Sequence, residues 1–436
     1  MENATLVLAY AIPAIPIWAG YTLGHVRRNA RHRAIFQEAQ EAGLTEPPSL
    51  HPHVDPNLCI GCGACVIACP EGEVLGMIKG KADLIDPTRC IGHGACQTAC
   101  PADGISLVFG TATRGIDIPV VAPDFQTNVP GIYIAGELGG MGLIRNAVEQ
   151  GRQAMEAVKT ANESDPASAD MLDVVVIGAG PAGISASLSA LESGLRCATI
   201  EQESLGGTVA HFPRGKIAMT SPVRLPLYGT MKAREISKEA LIELWSTVIA
   251  DTGVEIRYGE RMVDIVPDGA GFIVRSNADS YRTRRVILAI GRRGTPRKLD
   301  VPGEDRTKVV YRLIDAAEYR GRKVMVVGGG DSALEAAIAL AGEPGTTVTL
   351  AYRRNTFDRA RKSTRERLMA LAADGKIDLR LGAAIGEIGE HGVVIVIDGE
   401  THSIANDDVI ICAGGVLPNR LLEEAGVAVE RKFGTA

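Results

Sequence analysis

The sequence predicts an α/β protein with two parallel-sheet nucleotide folds, a small α+β module rich in cysteine, and one apolar N-terminal helix. Three observations predict it. Two glycine-rich turns, within 173–201 and 323–359, each follow an apolar strand run and open a helical pattern. Two nearly identical phrases, "CIGCGACVIACP" at 59–70 and "CIGHGACQTACP" at 90–101, hold most of the cysteines. An uncharged run, "LVLAYAIPAIPIWAGYTL", fills 6–23. Composition agrees, since 50 glycines and only 4% aromatics in 436 residues suit glycine-punctuated βα units. A formal net charge of −6 gives no general pull toward nucleic acid, so no such partner is expected.

The N-terminal run would span about 27 Å as a helix, close to the thickness of a hydrocarbon core. Pro13 and Pro16 interrupt it, which membrane helices tolerate better than soluble ones. Arg27, Arg28, Arg31 and Arg33 follow the run and only Glu2 precedes it, the wrong side for a secretory signal. The positive-inside rule then predicts a single-pass anchor in the cell membrane at 1–24, with the catalytic domains cytoplasmic. A basic juxtamembrane helix and Pro-rich linker would occupy 25–54. A buried core helix and an unusual signal peptide are the competing readings.

Seven of the nine cysteines lie in the two phrases, leaving Cys197 and Cys412 apart. An odd, clustered set reads as metal ligation in a reducing compartment, not as a disulfide framework. The pattern C-x2-C-x2-C-x3-C-P, repeated after a spacer of about twenty residues, points to iron–sulfur ligation over 55–110. Two zinc sites compete, but zinc needs neither crossed partners nor the proline after the last cysteine. The phrases resemble those of bacterial two-cluster ferredoxins, in which the fourth cysteine of each run serves the other cluster. That resemblance implies a [4Fe-4S] cluster I on Cys59, Cys62, Cys65 and Cys100. Cluster II would take Cys90, Cys96 and Cys69, with His93 in the fourth place.

Three readings of His93 stand side by side. It ligates a [4Fe-4S] cluster, it leaves a [3Fe-4S] cluster with an empty corner, or it is a bystander beside that vacancy. A neutral imidazole in place of a thiolate removes one negative charge, so cluster II is expected to reduce at a higher potential than cluster I.

The run "DVVVIGAGPAGISASLSALESGLRCATIE" enters as a strand, turns at Gly178, Gly180 and Gly183 into a helix, and ends on Glu201 at the tip of the next strand. Those glycines allow a tight turn and close approach of a pyrophosphate to the helix start, while the acid takes ribose hydroxyls. The second unit carries Gly328, Gly329 and Gly330, then Asp331-Ser332-Ala333, and its second strand ends in Tyr352-Arg353-Arg354. A carboxylate there would repel a 2′-phosphate and paired guanidiniums bind one, which favours NADPH over NADH. The alternative is a solvated basic helix start, since 353–368 is arginine-rich throughout.

Over most of 111–436 the chain resembles the thioredoxin-reductase-like flavoproteins. "GGGDSALEAA", "VILAIG" (286–291) and "VIICAGGVLPN" (409–419) look like their cofactor-domain motifs, and "VPGEDRTKVVYRLIDAAEYRGRKV" resembles the stretch entering their NADPH domain. The resemblance implies two Rossmann-like domains, with FAD at Gly178, Gly180, Gly183 and Glu201 and NADP(H) at Gly328, Gly329, Gly330 and Ser332. Three departures matter. The CxxC that precedes the NADPH domain in thioredoxin reductases is missing from "VVYRLIDAA". The cysteine that bacillithiol-disulfide-reductase-like relatives carry in the first glycine turn is here Ala182. Finally, "TNVPGIYIAGELGGMGLIRNAVEQGRQAMEAV" (127–158) resembles the C-terminal flavin-covering segment of the family but precedes the first glycine turn. The family's ribityl-contacting Asp corresponds to Glu137, next to Gly136.

That order implies a circular permutation, with 111–158 the displaced FAD-covering segment and 159–172 a linker. The FAD domain would then be 173–300, the NAD(P)H domain 301–412, and 413–436 a return to the FAD domain. The expected function is an FAD-dependent NAD(P)H oxidoreductase moving electrons between NAD(P)H, FAD and two clusters, to or from a ferredoxin, quinone or cytochrome in the membrane. No acid–base residue is assigned, and a homodimer is compatible with the reading. A disulfide or small-thiol reductase and a non-catalytic electron-relay or redox-sensing subunit are the alternatives.

Overall fold

The computed structural model describes residues 2–41, 47, 50–90, 92, 94–111, 115–140, 142–219, 222–233, 235–292, 294–357, 360–416 and 418–434. They form two units, residues 1–114 with 433–436 and residues 115–432.

The first unit begins with one helix, Glu2–Glu41, which runs through Pro13 and Pro16 and across the expected boundary at 24. The side chains of 2–14, 17, 21 and 25, most of the uncharged run, lie outside the described residues. Among the described residues no helix is long and apolar enough to cross a membrane, so the expected anchor finds no support in the structure. Beyond the run the helix is tied to the cysteine module. Buried His32 accepts the Met77 N–H at Nδ1 (3.0 Å), and Arg31 pairs with Glu73 at 2.5 Å.

The cysteine module is held by two small ladders. His51–Val54 runs antiparallel to Ile105–Val108, so pairing starts at His51, ahead of the expected boundary at 55. Leu75–Ile78 pairs with Lys81–Leu84. The helices Ala64–Ala68 and Ala95–Thr98 repeat one geometry, each entered through a left-handed glycine, Gly63 (φ +73°) and Gly94 (φ +78°). The apolar core is slight, with Leu75 and Ile105 beside Cys65 and Cys96.

In the second unit a seven-stranded sheet has the order Ile256–Tyr258, Cys197–Glu201, Leu172–Ile177, Ser280–Leu288, Gly271–Ser276, Met262–Asp268, with Ile132–Ile134 added beside Ser280–Leu288. Val174, Val175 and Val176 are fully buried, as a central parallel strand covered on both faces requires. Ile132–Ile134 runs parallel to Val286–Leu288, so a strand from before the first glycine turn completes its sheet. The helix Ile144–Ser164 crosses Pro181–Glu192 at Gly151, where a Cβ would lie 2.1 Å from the Ala182 carbonyl oxygen.

That helix continues through Ser164, into the stretch expected to be a linker. The Arg285 guanidinium holds it there, donating to the Ala161 carbonyl (2.7 Å) and to the Asn162 side chain. A five-stranded parallel sheet follows, in the order Val309–Val310, Asp408–Ile411, Lys323–Val327, Thr347–Tyr352, Ile377–Leu381, with three antiparallel strands over 384–405 beside it. The chain then returns. Leu422 and Val427 join the core of Ile132 and Ile134, and Val429–Lys432 pairs antiparallel with Ile116–Pro119.

Candidate functional site

A cavity of about 1290 Å³ opens at the C-terminal ends of Leu172–Ile177 and Cys197–Glu201, larger than the ~300–1,000 Å³ usual for a small ligand. Gly178, Gly180 and Glu201 line it, and so do Gly136 and Glu137 from the segment preceding the turn. The protein's own packing demands two of the glycines. A Cβ on Gly178 (φ +107°) would lie 2.6 Å from the Ala289 oxygen, and one on Gly183 would lie 1.8 Å from the Gly178 oxygen. Gly180 meets nothing closer than 4.0 Å and caps the helix that starts with Pro181, so amide N–H groups of the first turn are open to an anion.

Glu201 is buried and held on both oxygens. Ala179 N–H donates to Oε2 (2.7 Å) and Glu203 N–H to Oε1 (2.9 Å). Each carboxylate oxygen keeps a further lone pair, so the group is oriented before any ribose hydroxyl arrives. Gly136 N–H donates to Gln150 Oε1 at 2.9 Å, and a Cβ on Gly136 would come within 2.9 Å of Ala182 Cβ. Burial pushes the Glu137 carboxyl up, against the opposing charge of Arg292. A pyrophosphate, a ribose diol and a polyol chain thus find an amide cradle, a fixed acid and Glu137 in one cavity. The residues fit FAD.

Sequence reasoning missed one group in this cavity. Glu203 Oε2 lies 2.6 Å from His211 Nε2, and an Arg312 guanidinium nitrogen lies 2.6 Å from His211 Nδ1. With Arg312 donating to Nδ1, the proton of neutral His211 sits on Nε2 and faces Glu203. All three line the cavity. The only local signal is "TVAHFPRG", directly after Gly206-Gly207.

The second glycine turn has the same plan. Gly328 (φ +147°) would place a Cβ 2.4 Å from the Cys412 oxygen, while Gly330 is open and caps the helix Asp331–Ala341. Ser332 is exposed on its first turn, and Arg353 and Arg354 are exposed beyond the strand Thr347–Tyr352. The residues fit a phosphorylated nucleotide.

In the cysteine module, Cys59, Cys62, Cys65 and Cys100 line one small cavity, so the last cysteine of the second phrase joins three from the first. Two sulfurs receive backbone N–H groups, Cys59 from Ala82 (3.4 Å) and Cys100 from Gly104 (3.3 Å). Such donors suit thiolate ligands of a cluster. Cys90 stands near Cys96 and Cys69, and burial pushes its thiol up to about 11. Among the described residues no three His, Cys, Asp or Glu side chains are close enough to hold a single metal ion. His93 lies outside the described residues.

The two remaining cysteines are poor nucleophiles. Burial pushes the thiols of Cys197 and Cys412 up to about 12, where almost no thiolate exists at neutral pH.

Comparison with known proteins gives two family matches. A model described as pyridine nucleotide-disulphide oxidoreductase covers residues 175–434, and one described as a 4Fe-4S dicluster domain covers 51–101. A ferredoxin–NADP reductase of Ignicoccus hospitalis is 35% identical over 188 residues, 43% of this chain. This chain spans only 58% of that protein's length. A thioredoxin reductase of Bacillus subtilis is 30% identical over 275 residues, 60% of this chain and 80% of the relative. Among solved structures, a bacillithiol disulfide reductase from Bacillus cereus aligns with a TM-score of 0.52 at 25% identity, over 58% of this chain and 81% of the other.

Proposed function

Because the chain belongs to the pyridine nucleotide-disulphide oxidoreductase family and carries a 4Fe-4S dicluster domain, we propose that it moves electrons between NAD(P)H, FAD and two iron–sulfur clusters. The far partner is an electron carrier, with a ferredoxin, a quinone and a cytochrome the candidate classes. One observation carries this reading. A dinucleotide cavity and a cavity ringed by four cysteines from two phrases belong to the same chain. FAD held at Gly178, Gly180, Gly183 and Glu201 would supply the exchange of a two-electron hydride for single electrons, and clusters on the two cysteine phrases would take electrons singly. The chain's own residues orient and insulate. Glu201 is fixed by two backbone N–H groups for a ribose, Gly180 leaves amides open to a pyrophosphate, and half-buried Glu137 lines the same cavity.

Disulfide reduction is the weaker reading, because no cysteine is among the described residues that line the dinucleotide cavity. Ala182 occupies the position of one family cysteine, "VVYRLIDAA" has none, and Cys197 and Cys412 are held protonated by burial. His93 belongs in this proposal as the fourth ligand of cluster II, raising that cluster's potential above the other's by removing a negative charge. The order of segments fits a circularly permuted flavin fold, with 111–158 completing it from the N-terminal side.

Anaerobic titration with NADPH tests the function. Flavin absorbance is expected to bleach and reduced-cluster signals to follow, with reduced cluster II appearing first. Flavin bleaching with clusters that stay oxidised at every NADPH excess overturns electron transfer between them. Replacing Arg353 and Arg354 together by Ala is expected to cost NADPH binding about 1–3 kcal/mol per lost charged hydrogen bond while sparing NADH. An equal loss for both nucleotides would assign these arginines a structural role instead.

We also carry the membrane tether forward as a proposal, on the uncharged run at 6–23, the arginines after it, and the exposure of Ile15, Trp18 and Leu23. Full-length protein is then expected in the membrane fraction after mild lysis, oriented with its cofactor domains in the cytoplasm. Full-length protein in the supernatant overturns the tether.

A further inference from the structure

The two cysteine phrases differ at three positions only: Cys62 against His93, Val66 against Gln97, and Ile67 against Thr98. Their cysteines are covered unequally. In the set of Cys59, Cys62, Cys65 and Cys100, Cys62 is exposed, Cys59 and Cys100 are half-buried, and only Cys65 is buried. In the other set Cys90 and Cys96 are buried and Cys69 is half-buried, while His93 lies outside the described residues. Cys90 stands at the position of Cys59, so one place in the phrase is closed in the second half and partly open in the first.

The chain ahead of the module supplies the cover. Buried Leu50 places its carbonyl oxygen 3.8 Å from Cys90 Sγ, and a Cβ on Gly92 would lie 2.7 Å from the same oxygen. Glu73, four residues after Cys69, adds a tie, pairing with Arg31 of the N-terminal helix at 2.5 Å and with Arg89, next to Cys90, at 3.6 Å. On the first phrase Gly61 meets the Gly80 carbonyl instead, in a turn whose flanking Lys79 and Lys81 are both exposed. Lys81 Nζ donates to the Cys59 carbonyl and draws that turn to the cysteine backbone. Cys62, the residue after Gly61, is left exposed.

Resting on the iron–sulfur reading above, we propose that electrons enter and leave the module at cluster I, through its exposed edge at Cys62. Cluster II then exchanges with the outside only by way of cluster I. The step moves one electron and neither makes nor breaks a bond: reduced cluster I loses it and the outside carrier gains it, or the reverse. Such transfer falls steeply with separation. A ligand sulfur at the surface lets a carrier approach cluster I closely, while Leu50 and the chain ahead of it hold the carrier away from Cys90.

Two measurements on the full-length, cluster-loaded protein test this without turnover. In dithionite-reduced protein frozen with the surface relaxant dysprosium–EDTA, the low-potential signal of cluster I is expected to relax several times faster than without it. The higher-potential signal of cluster II, read at partial reduction, is expected to change little. The second measurement uses the matched positions Ile67 and Thr98, both exposed on their helices. Ile67→Glu is expected to slow oxidation of the reduced protein by the anion ferricyanide about threefold and to speed oxidation by the cation tris(phenanthroline)cobalt(III). Thr98→Glu leaves both rates as they were. Opposite signs for the two complexes separate a charge at the port from misfolding. Thr98→Glu acting as strongly as Ile67→Glu, or dysprosium relaxing both signals alike, overturns the single port. Clusters that stay oxidised under NADPH, yet lose electrons in the expected pattern after dithionite, overturn the flavin–cluster reading and leave the port standing. Protein that holds iron for one cluster or none overturns both.

Discussion

Replacing Cys100 with Ala is expected to abolish one iron–sulfur cluster of the two, although Cys100 belongs to the second phrase and three partners belong to the first. Cys59, Cys62, Cys65 and Cys100 face one cavity, and removing one thiolate from a four-thiolate set leaves an open corner. Protein iron should fall by about half, and the low-potential [4Fe-4S] signal should vanish from the reduced protein. The centre that remains reports on cluster II alone. Its spectrum then shows whether a nitrogen ligand from His93 is present, free of overlap from cluster I. If Cys100→Ala instead removes the higher-potential signal and spares the other, the two phrases do not exchange their last cysteines.

The second large effect concerns Gly151. A methyl group there would lie 2.1 Å from the Ala182 backbone oxygen, so Gly151→Ala must push apart the helices Ile144–Ser164 and Pro181–Glu192. Overpacking of that kind costs about 1–3 kcal/mol, and more when backbone must move. Because Ala182 lies in the first glycine turn, the displacement reaches the wall of the large cavity. The variant is expected to lose most of its flavin on purification and to melt earlier, with iron content unchanged. Flavin content and thermal midpoint at wild-type values would mean that 111–158 does not complete the flavin site. A loss of iron together with flavin would point to general misfolding.

Much of this was legible in the sequence because it is written locally. The glycine turns announce themselves as a strand run, a turn and a helix within thirty residues, and Gly178 and Gly183 prove to be demanded by backbone oxygens. The cysteine phrases are legible for the same reason. What stayed hidden depends on residues far apart. His211 and Arg312 meet across 101 positions of sequence with no periodic pattern to join them. The helix expected to end near 158 continues to Ser164 because Arg285, over a hundred residues later, binds the carbonyl of Ala161 and the side chain of Asn162. Polar, Ser-rich composition at 159–172 reads as a linker until that partner is known.

The strand Ile132–Ile134 has a further consequence, for synthesis. It pairs with Val286–Leu288, made some 150 residues later, and its side chains are fully buried only once that strand exists. At about 5–20 residues per second, the nascent segment waits roughly 8–30 s with its apolar side chains exposed. The antiparallel pairing of Ile116–Pro119 with Val429–Lys432 waits longer still, until almost the last residue has emerged. A ribosome-bound chain therefore carries an unfinished flavin sheet throughout translation, while the cysteine module ahead of it already has nearly all its contacts. Nascent-chain capture should find chaperones crosslinked around 125–150 in chains stalled near residue 260, and released from chains stalled past residue 330.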